Sequence, residues 1–239
     1  SLPISMVILA AVSGLLLLEP DFGATAVILA TAMGMLFLGG FKWRHFIITV
    51  AIGAAGMALI AGLSPYRFQR LTAFLNPWAD PFASGFQLTQ ALIAFGRGEW
   101  LGVGLGDSVQ KLFYLPEAHT DFLFAVLGEE LGLAGVVAVI ALFAFVVWRA
   151  FGIADRAARA GRWFAAHTAY GVAMWLALQV VINIGVNMGV LPTKGLTLPL
   201  MSYGGSSIVV TCAAVALILR VHYETRAAGA VRVTRAAAW

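Results

Sequence analysis

Charge is what this sequence has least of. Only 11% of its 239 residues are Asp, Glu, Lys or Arg, whereas soluble domains usually carry about 25%. Hydrophobic residues make up 61% of the chain, so too few charged side chains remain to cover a water-exposed surface. The composition excludes an ordinary soluble globular protein and predicts a protein embedded in a membrane.

Residues for several common chemistries are also scarce. Cys212 is the single cysteine, which excludes an intramolecular disulfide, and the sequence has neither a Cys/His ligand spacing nor a G-x-S-x-G motif. The basic residues form no stripe with interleaved aromatic residues, so nucleic-acid binding is not expected. The chain starts without Met or a basic segment, which argues against a signal peptide and suggests a piece of a longer protein.

Six stretches without any charged residue divide the chain. A helix needs about 20 apolar residues to cross a bilayer core of ~30 Å, and each stretch reaches or nearly reaches that length. We therefore predict an all-α fold, a polytopic membrane bundle of about six transmembrane helices with a large structured extracytoplasmic loop. The stretches are residues 1–18, 22–41, 45–63, 131–148, 163–193 and 195–219.

The spacing of these stretches predicts the organisation of the chain. A short helix is predicted over residues 85–95 of the extracytoplasmic loop 64–120, where apolar residues recur at helical spacing. Pro192, Pro199 and Gly204 predict a broken-helix segment over 183–207, because such backbone survives at membrane depth only when protein or water covers it. The predicted units are three transmembrane helices in 1–63, the loop in 64–120, three more transmembrane helices in 121–222 and a cytoplasmic tail in 223–239.

Basic residues indicate which side of the membrane each loop occupies. One set of loops and both chain ends hold ten basic and two acidic residues, and the other set holds five basic and nine acidic residues. Since cytoplasmic loops are enriched in Lys and Arg, the first set is predicted to be cytoplasmic. The long loop 64–120 and the segment 183–207 then face the exterior.

Acidic residues at the start of the fourth span are the sharpest candidates for chemistry. Asp121 follows the polar turn 116–120, and its carboxylate has two interpretations: it stabilises the helix N-terminus, or it acts as a general base at the membrane–water boundary. Glu129 and Glu130 follow about two turns later. Both could line the same cavity as Asp121 or pair with a basic residue of another helix, and structural pairing is the favoured interpretation.

Several further residues on the predicted outer side could bind a ligand. Arg and Lys suit contacts to a pyrophosphate, although headgroup anchoring is an equal alternative for each of them. Glu19 and Asp21 are either ligands of a substrate or cation or simple turn residues, and His119 is expected to orient the Asp121 turn. The four basic candidates are Arg67, Arg70, Lys111 and Lys194.

These motifs resemble the SEDS family of bacterial cell-wall glycosyltransferases. They occur in the family's order along nearly the whole chain, and 192–196 together with 223–226 resembles the division member more than the elongation member. The family normally has ten spans, and this chain resembles the last six. The matching runs are 19–23, 85–88, 104–111, 116–122, 128–132 and 202–207.

The resemblance implies an inverting glycosyltransferase that polymerises lipid II into peptidoglycan during division. It implies Asp121 as the catalytic base and as the candidate ligand of a divalent cation, Mg or Mn, with no organic cofactor. The implied location is the plasma membrane, at the septum, with the active site outside. The expected substrate-binding residues are Glu19, Asp21, Arg67, Arg70, Gln90, Lys111, His119, Lys194, Ser202 and Ser206.

The resemblance also implies protein partners, a class B penicillin-binding transpeptidase of the FtsI type and other division proteins. Two alternatives to catalysis remain open. A lipid II flippase would use the broken segment 183–207 as a moving gate, although its ionisable groups should then lie near the bilayer midplane. A non-catalytic scaffold for division proteins would not depend on the carboxylate of Asp121.

Overall fold

The computed structural model describes residues 2–18, 22–40, 44, 47–48, 51, 56, 74–193 and 195–236. Within these residues every regular element is helical, which confirms the predicted all-α fold. Helices α1 (Leu2–Leu18) and α2 (Phe22–Leu38) are apolar and contain 17 residues each. The third predicted span, 45–63, falls largely outside the described residues.

Three longer helices form the second half of the bundle. They are α4 (Leu123–Arg159), α5 (Trp163–Asn187) and α6 (Gly205–Ala236), preceded by the short helix α3 (Phe86–Gly98). Among the described residues, α4, α5 and the first 23 residues of α6 are long and apolar enough to cross a membrane. These helices and the apolar α1 and α2 make this a multi-pass membrane protein.

Helix boundaries differ from those expected at three places. α5 continues to Asn187 and α6 begins at Gly205, so irregular backbone occupies only the middle of the predicted segment 183–207. α6 passes through residue 223, the predicted start of the tail, without a break. α4 likewise runs to Arg159, since charged residues end a membrane-embedded stretch without ending the helix.

Small residues bring the helices close together at the end of the bundle that carries most arginines. Ala154 and Ala157 of α4 and Ala166 and Ala173 of α5 are fully buried there, beside Ile218 of α6. α2 packs on the other side of α5, where Gly34 lies against the side chain of Met174. Close backbone approach of this kind supplies the packing contacts that hold helices together in lipid.

The α4 helix is interrupted at Gly132 by an inserted loop. Gly132 has φ 64° and ψ −164°, a conformation that is essentially restricted to glycine. The N–H groups of Leu133 and Ala134 donate to the carbonyls of Glu99 and Trp100, over 2.9 and 3.1 Å, instead of to the preceding turn. The interruption therefore costs these two N–H groups no hydrogen bond.

The same loop satisfies the carbonyls that the interruption releases. Val103 N–H and Gly104 N–H donate to the carbonyls of Glu129 and Glu130, over 3.0 and 3.1 Å. In an unbroken helix these carbonyls would accept from Leu133 and Ala134. The structure thus inserts residues 99–104 into the hydrogen-bond ladder of α4.

The segment before α4 is held against the helices by α3. Leu88, Ala91 and Ala94 form the buried side of this helix, and the ring of Phe95 meets Phe124 of α4 edge to face at 5.9 Å. Thr89 donates its hydroxyl to the carbonyl of Pro77 over 3.3 Å. Residues 74–122 thus form an ordered platform beside the first turns of α4.

Candidate active site

Asp121 lies at the end of a tight turn, two residues before α4 begins. The carbonyl of Glu117 accepts hydrogen bonds from the N–H groups of Thr120 and Phe122, over 3.2 and 3.1 Å. Glu117 itself has φ 56°, an uncommon conformation for a residue other than glycine, and its carboxylate accepts the Thr120 hydroxyl over 2.8 Å. The turn thereby fixes the position from which the half-buried Asp121 side chain projects.

Two asparagines of α5 hold the backbone of Asp121. The amide of Asn183 donates to the Asp121 carbonyl over 3.0 Å, and the amide of Asn187 donates to the same oxygen over 2.9 Å. Asn187 also accepts the N–H of Ala125 in the first turn of α4, over 3.1 Å. Since both asparagines are buried, these bonds are shielded from water.

The irregular segment between α5 and α6 closes over the Asp121 turn. Asn183 also donates to the carbonyl of Leu196, and a Cβ added to Gly195 would lie 3.1 Å from Oδ2 of Asp121. Tyr203 N–H donates to the carbonyl of His119 over 2.9 Å. The carboxylate of Asp121 therefore lies directly against the backbone of this segment.

Hydroxyl groups stabilise the same segment from within. The buried Ser202 accepts the N–H of Leu198 over 2.8 Å. The hydroxyls of Thr197 and Ser207 share a hydrogen bond of 3.0 Å, and the amide of Gln179 donates to the Thr197 carbonyl over 3.3 Å. These bonds tie the segment to α5 and α6.

A buried carboxylate anchors the outer loop to α4. Glu129 has no exposed side-chain surface and accepts the hydroxyl of Ser108 over 2.5 Å. It also accepts the N–H groups of Val109 and Gln110, both over 3.2 Å. The guanidinium of Arg97 on α3 lies 3.5 Å from its second oxygen, which confirms that Glu129 pairs with a basic residue of another helix.

The neighbouring Glu130 pairs with Lys111 at the edge of the same loop. The ammonium lies 2.6 Å from Oε1 of Glu130 and donates to the carbonyl of Gly106, also over 2.6 Å. The two side chains are 24% and 15% exposed. Lys111 is thus engaged in a partly shielded structural pair.

Apart from Lys111, the predicted site residues fall into three groups. The structure brings His119, Asp121 and Ser202 together, with the backbone of His119 and the buried Ser202 used for internal hydrogen bonds. Gln90 lies half-buried on α3, and Ser206 is exposed in the first turn of α6. Glu19, Asp21, Arg67, Arg70 and Lys194 lie outside the described residues.

Sequence reasoning missed Asn183 and Asn187 as functional candidates. A signal was present, because two amides four residues apart share one face of an apolar helix. Polar side chains in membrane helices usually have a partner. That partner is a main-chain oxygen more than 60 residues away, and spacing along the helix does not identify it.

The arrangement can present a single carboxylate to a ligand above the end of the bundle. Among the described residues there is no group of three His, Cys, Asp or Glu side chains that could hold a metal ion. A Mg²⁺ ion is commonly held by one or two carboxylates together with substrate phosphates. The carboxylate of Asp121 fits the role of one such ligand.

Known proteins match this chain along almost its whole length. The profile of the family described as "Cell cycle protein", which groups FtsW, RodA and SpoVE, matches residues 1–227. The "Probable peptidoglycan glycosyltransferase FtsW" of Nitrosococcus halophilus is 70% identical over 212 residues, which are 89% of this chain and 55% of that protein. The FtsW of Thioalkalivibrio sulfidiphilus, with the same description, is 61% identical over 96% of this chain and 58% of its own length.

Solved structures show the same architecture. A chain of a peptidoglycan synthase complex that coordinates polymerization and crosslinking superimposes with a TM-score of 0.73, at 33% identity, covering 92% of this chain and 61% of that chain. The crystal structure of the rod shape determining protein RodA of Thermus thermophilus gives a TM-score of 0.61 at 31% identity, over 93% of this chain and 56% of that one. The chain thus spans little more than half the length of the relatives it matches.

Proposed function

This chain belongs to the cell cycle protein family of FtsW, RodA and SpoVE, and from that premise we propose that it carries the catalytic part of a peptidoglycan glycosyltransferase. The substrate is lipid II, and the product is the glycan strand made during cell division. Two FtsW proteins that are 61% and 70% identical support the division role. The observation that carries the proposal is the fixed position of Asp121 beneath the segment 195–203.

In the proposed reaction Asp121 is the general base. A sugar hydroxyl of lipid II attacks the anomeric carbon of a second, pyrophosphate-linked glycan chain, and the Asp121 carboxylate accepts the hydroxyl proton. The new glycosidic bond forms on the face opposite the breaking carbon–oxygen bond, so the anomeric configuration inverts and the lipid pyrophosphate leaves. The hydrogen bonds from Asn183 and Asn187 fix the base before the substrate arrives.

A divalent cation is part of the proposal only as a ligand of the leaving group. When bound, such an ion would neutralise the charge that develops on the pyrophosphate. Asp121 is the described residue that would contact it. The remaining ligands would come from the substrate phosphates.

The proposed location is the plasma membrane at the division septum, with Asp121 on the exterior side. The support is the distribution of charge: Arg149, Arg156, Arg159, Arg162 and Arg220 all lie away from Asp121, near the end of α4, the start of α5 and the middle of α6. Positive residues favour the cytoplasmic side. A lipid-linked sugar in the outer leaflet would then meet the site at the headgroup level.

The proposed partner is a class B penicillin-binding transpeptidase, with other division proteins. The support is the likeness to a chain of a complex that combines polymerization with crosslinking. The outer loop also exposes large apolar side chains, among them Phe82, Trp100 and Leu101, each more than 70% exposed. Such a surface suits contact with a second membrane protein.

The decisive experiment measures polymerisation of fluorescent lipid II by the full-length protein with its transpeptidase. Asp121→Asn should reduce the rate by about 10²- to 10⁴-fold, the usual contribution of a general base. Asp155→Asn, at the opposite end of α4, is the matched control and should polymerise at the wild-type rate. Equal polymer from Asp121→Asn and wild type would remove Asp121 from the reaction.

A transport function is the second candidate, favoured by the interruption of α4 at Gly132. Discontinuous helices are a common feature of transporters. The test is translocation of fluorescent lipid II across proteoliposomes by Asp121→Asn, which should not polymerise. Translocation above that of protein-free vesicles would support a transporter. No translocation by Asp121→Asn, with polymerisation intact in the wild-type protein, would exclude one.

A further inference from the structure

A pocket of about 430 Å³ opens between α5 and α6 at the arginine-rich end of the bundle. Arg162, Trp163 and Phe164 border it where α5 begins, and Leu217 and Arg220 border it from α6. The 25 residues of α5 separate it from Asn187, a distance of about 36 Å along the helix. The pocket is therefore distinct from the Asp121 site, and nothing proposed above uses it.

One side of the pocket carries a surplus of positive charge. The guanidinium groups of Arg162 and Arg220 both bond the carboxylate of Glu224. Each guanidinium has five N–H donors, so one carboxylate cannot satisfy both groups. The side chain of Arg220 is 69% exposed and remains open to an anionic ligand.

The other side of the pocket is apolar, and its side chains are exposed among the described residues. Phe164 is 89% exposed, Trp163 64% and Leu217 50%. Tryptophan is enriched at the membrane interface, where its ring lies at the level of the headgroups. A ligand that fills this pocket would gain from hydrocarbon beside Phe164 as well as from negative charge beside Arg220.

The position of the pocket identifies the leaflet from which a ligand would come. It lies at the end of α5 and α6 where the basic residues gather, the end predicted to face the cytoplasm. The cytoplasmic leaflet is the source of anionic lipids for basic pockets between transmembrane helices. A soluble phosphate would contact the arginines but would gain nothing from the apolar wall.

We propose that this pocket binds an anionic phospholipid, with its phosphate beside Arg162 and Arg220 and its upper acyl chains against Phe164 and Leu217. Glu224 holds the two guanidinium groups in place, and their combined charge leaves one net positive unit for the phosphate. Bound lipid would join the start of α5 to α6. The site is a lipid-binding site at the cytoplasmic interface, and its occupancy does not require any catalytic step.

The test is native mass spectrometry of the full-length protein titrated with phosphatidylglycerol and, separately, with phosphatidylcholine. We expect tighter binding of phosphatidylglycerol, and Arg220→Gln should weaken it about fivefold, the effect of one basic residue near a charged headgroup. Arg149→Gln removes the same charge from the exposed surface of α4 and is the matched control. Equal affinity for the two lipids, or equal loss in both variants, would overturn the proposal.

Two further arms separate the lipid from its headgroup and guard against a misfolded variant. Glycerophosphate should not compete with phosphatidylglycerol at equal concentration, and competition would mean an anion site without a lipid requirement, contrary to the proposal. Phe164→Ser keeps the charge and removes part of the wall, so it should also weaken phosphatidylglycerol binding. Unchanged binding in Phe164→Ser would contradict the apolar half of the site, with folding checked by circular dichroism.

Discussion

The side-chain amide of Asn187 donates to the main-chain oxygen of Asp121 over 2.9 Å, across 66 positions in the sequence. Asn187 also accepts from Ala125, so one buried side chain joins the end of α5 to the first turn of α4. The proposed base is therefore held by its own backbone carbonyl. Asn183 reinforces the arrangement from the preceding turn.

Replacing Asn187 should impair both stability and polymerisation. Asn187→Ala removes the buried hydrogen bonds to the Asp121 carbonyl and the Ala125 N–H, which should cost about 1–3 kcal/mol of unfolding free energy. Displacement of Asp121 should slow lipid II polymerisation by about tenfold or more. Asn187→Asp should be worse, because a carboxylate would face two carbonyl oxygens. Stability is measured by unfolding in SDS, monitored by tryptophan fluorescence, and the rate is measured by single-turnover polymerisation.

The exposed Asn76 provides the control for Asn187. Its side chain makes no capping hydrogen bond to the helical turn that follows. Asn76→Ala should therefore match wild type in both measurements. A positioning role for Asn187 predicts that its rate loss disappears in the Asp121→Asn background, and an additive loss would contradict that role.

The interrupted α4 should depend on Gly132. A Cβ at this residue would lie 2.4 Å from the nitrogen of Gly102 and 2.7 Å from the carbonyl of Gly98. Gly132→Ala should therefore destabilise the protein by at least about 3 kcal/mol, from steric overlap and backbone strain together.

Gly152 of the same helix is the matched comparison. A Cβ there meets no atom within 4 Å, so Gly152→Ala should stabilise the helix by up to about 1 kcal/mol. Unfolding in SDS measures both variants. Similar unfolding curves for the two would mean that the loop is not inserted at Gly132 as described.

The buried Glu129 should be more important for stability than any exposed acid of the outer loop. Glu129→Gln keeps the shape of the side chain but places an amide group against the hydrogen-bond donors of Ser108, Val109 and Gln110. The expected loss of unfolding free energy is about 3 kcal/mol. The exposed Glu99 provides the matched control, and Glu99→Gln should change stability by less than about 0.5 kcal/mol. Limited proteolysis of the outer loop offers a second measurement, since a loosened loop is cleaved faster.

The sequence predicted the apolar helices that the structure describes and missed the connections between them. Charge-free stretches locate a membrane helix because an unpaired charge in lipid is costly. The pairing of Glu129 was predicted from the same cost of burying an unpaired charge. The insertion of 99–104 at Gly132 could not be predicted, because its hydrogen bonds exchange partners that are about 30 residues apart in the sequence. Hydropathy also marks where lipid ends rather than where a helix ends, so α4 and α6 extend beyond their apolar stretches.

Variants of the Lys111–Glu130 pair distinguish a structural role of Lys111 from a role in substrate binding. Their contact of 2.6 Å predicts a double-mutant coupling of about 1 kcal/mol in unfolding free energy. If Lys111 acts only through Glu130, Lys111→Met and Glu130→Gln should impair stability alike, and the double variant should lose little more. The apparent KM for lipid II should then be the same in all three variants. A raised KM in Lys111→Met that persists in the double variant, but is absent from Glu130→Gln, would instead indicate contact with the pyrophosphate.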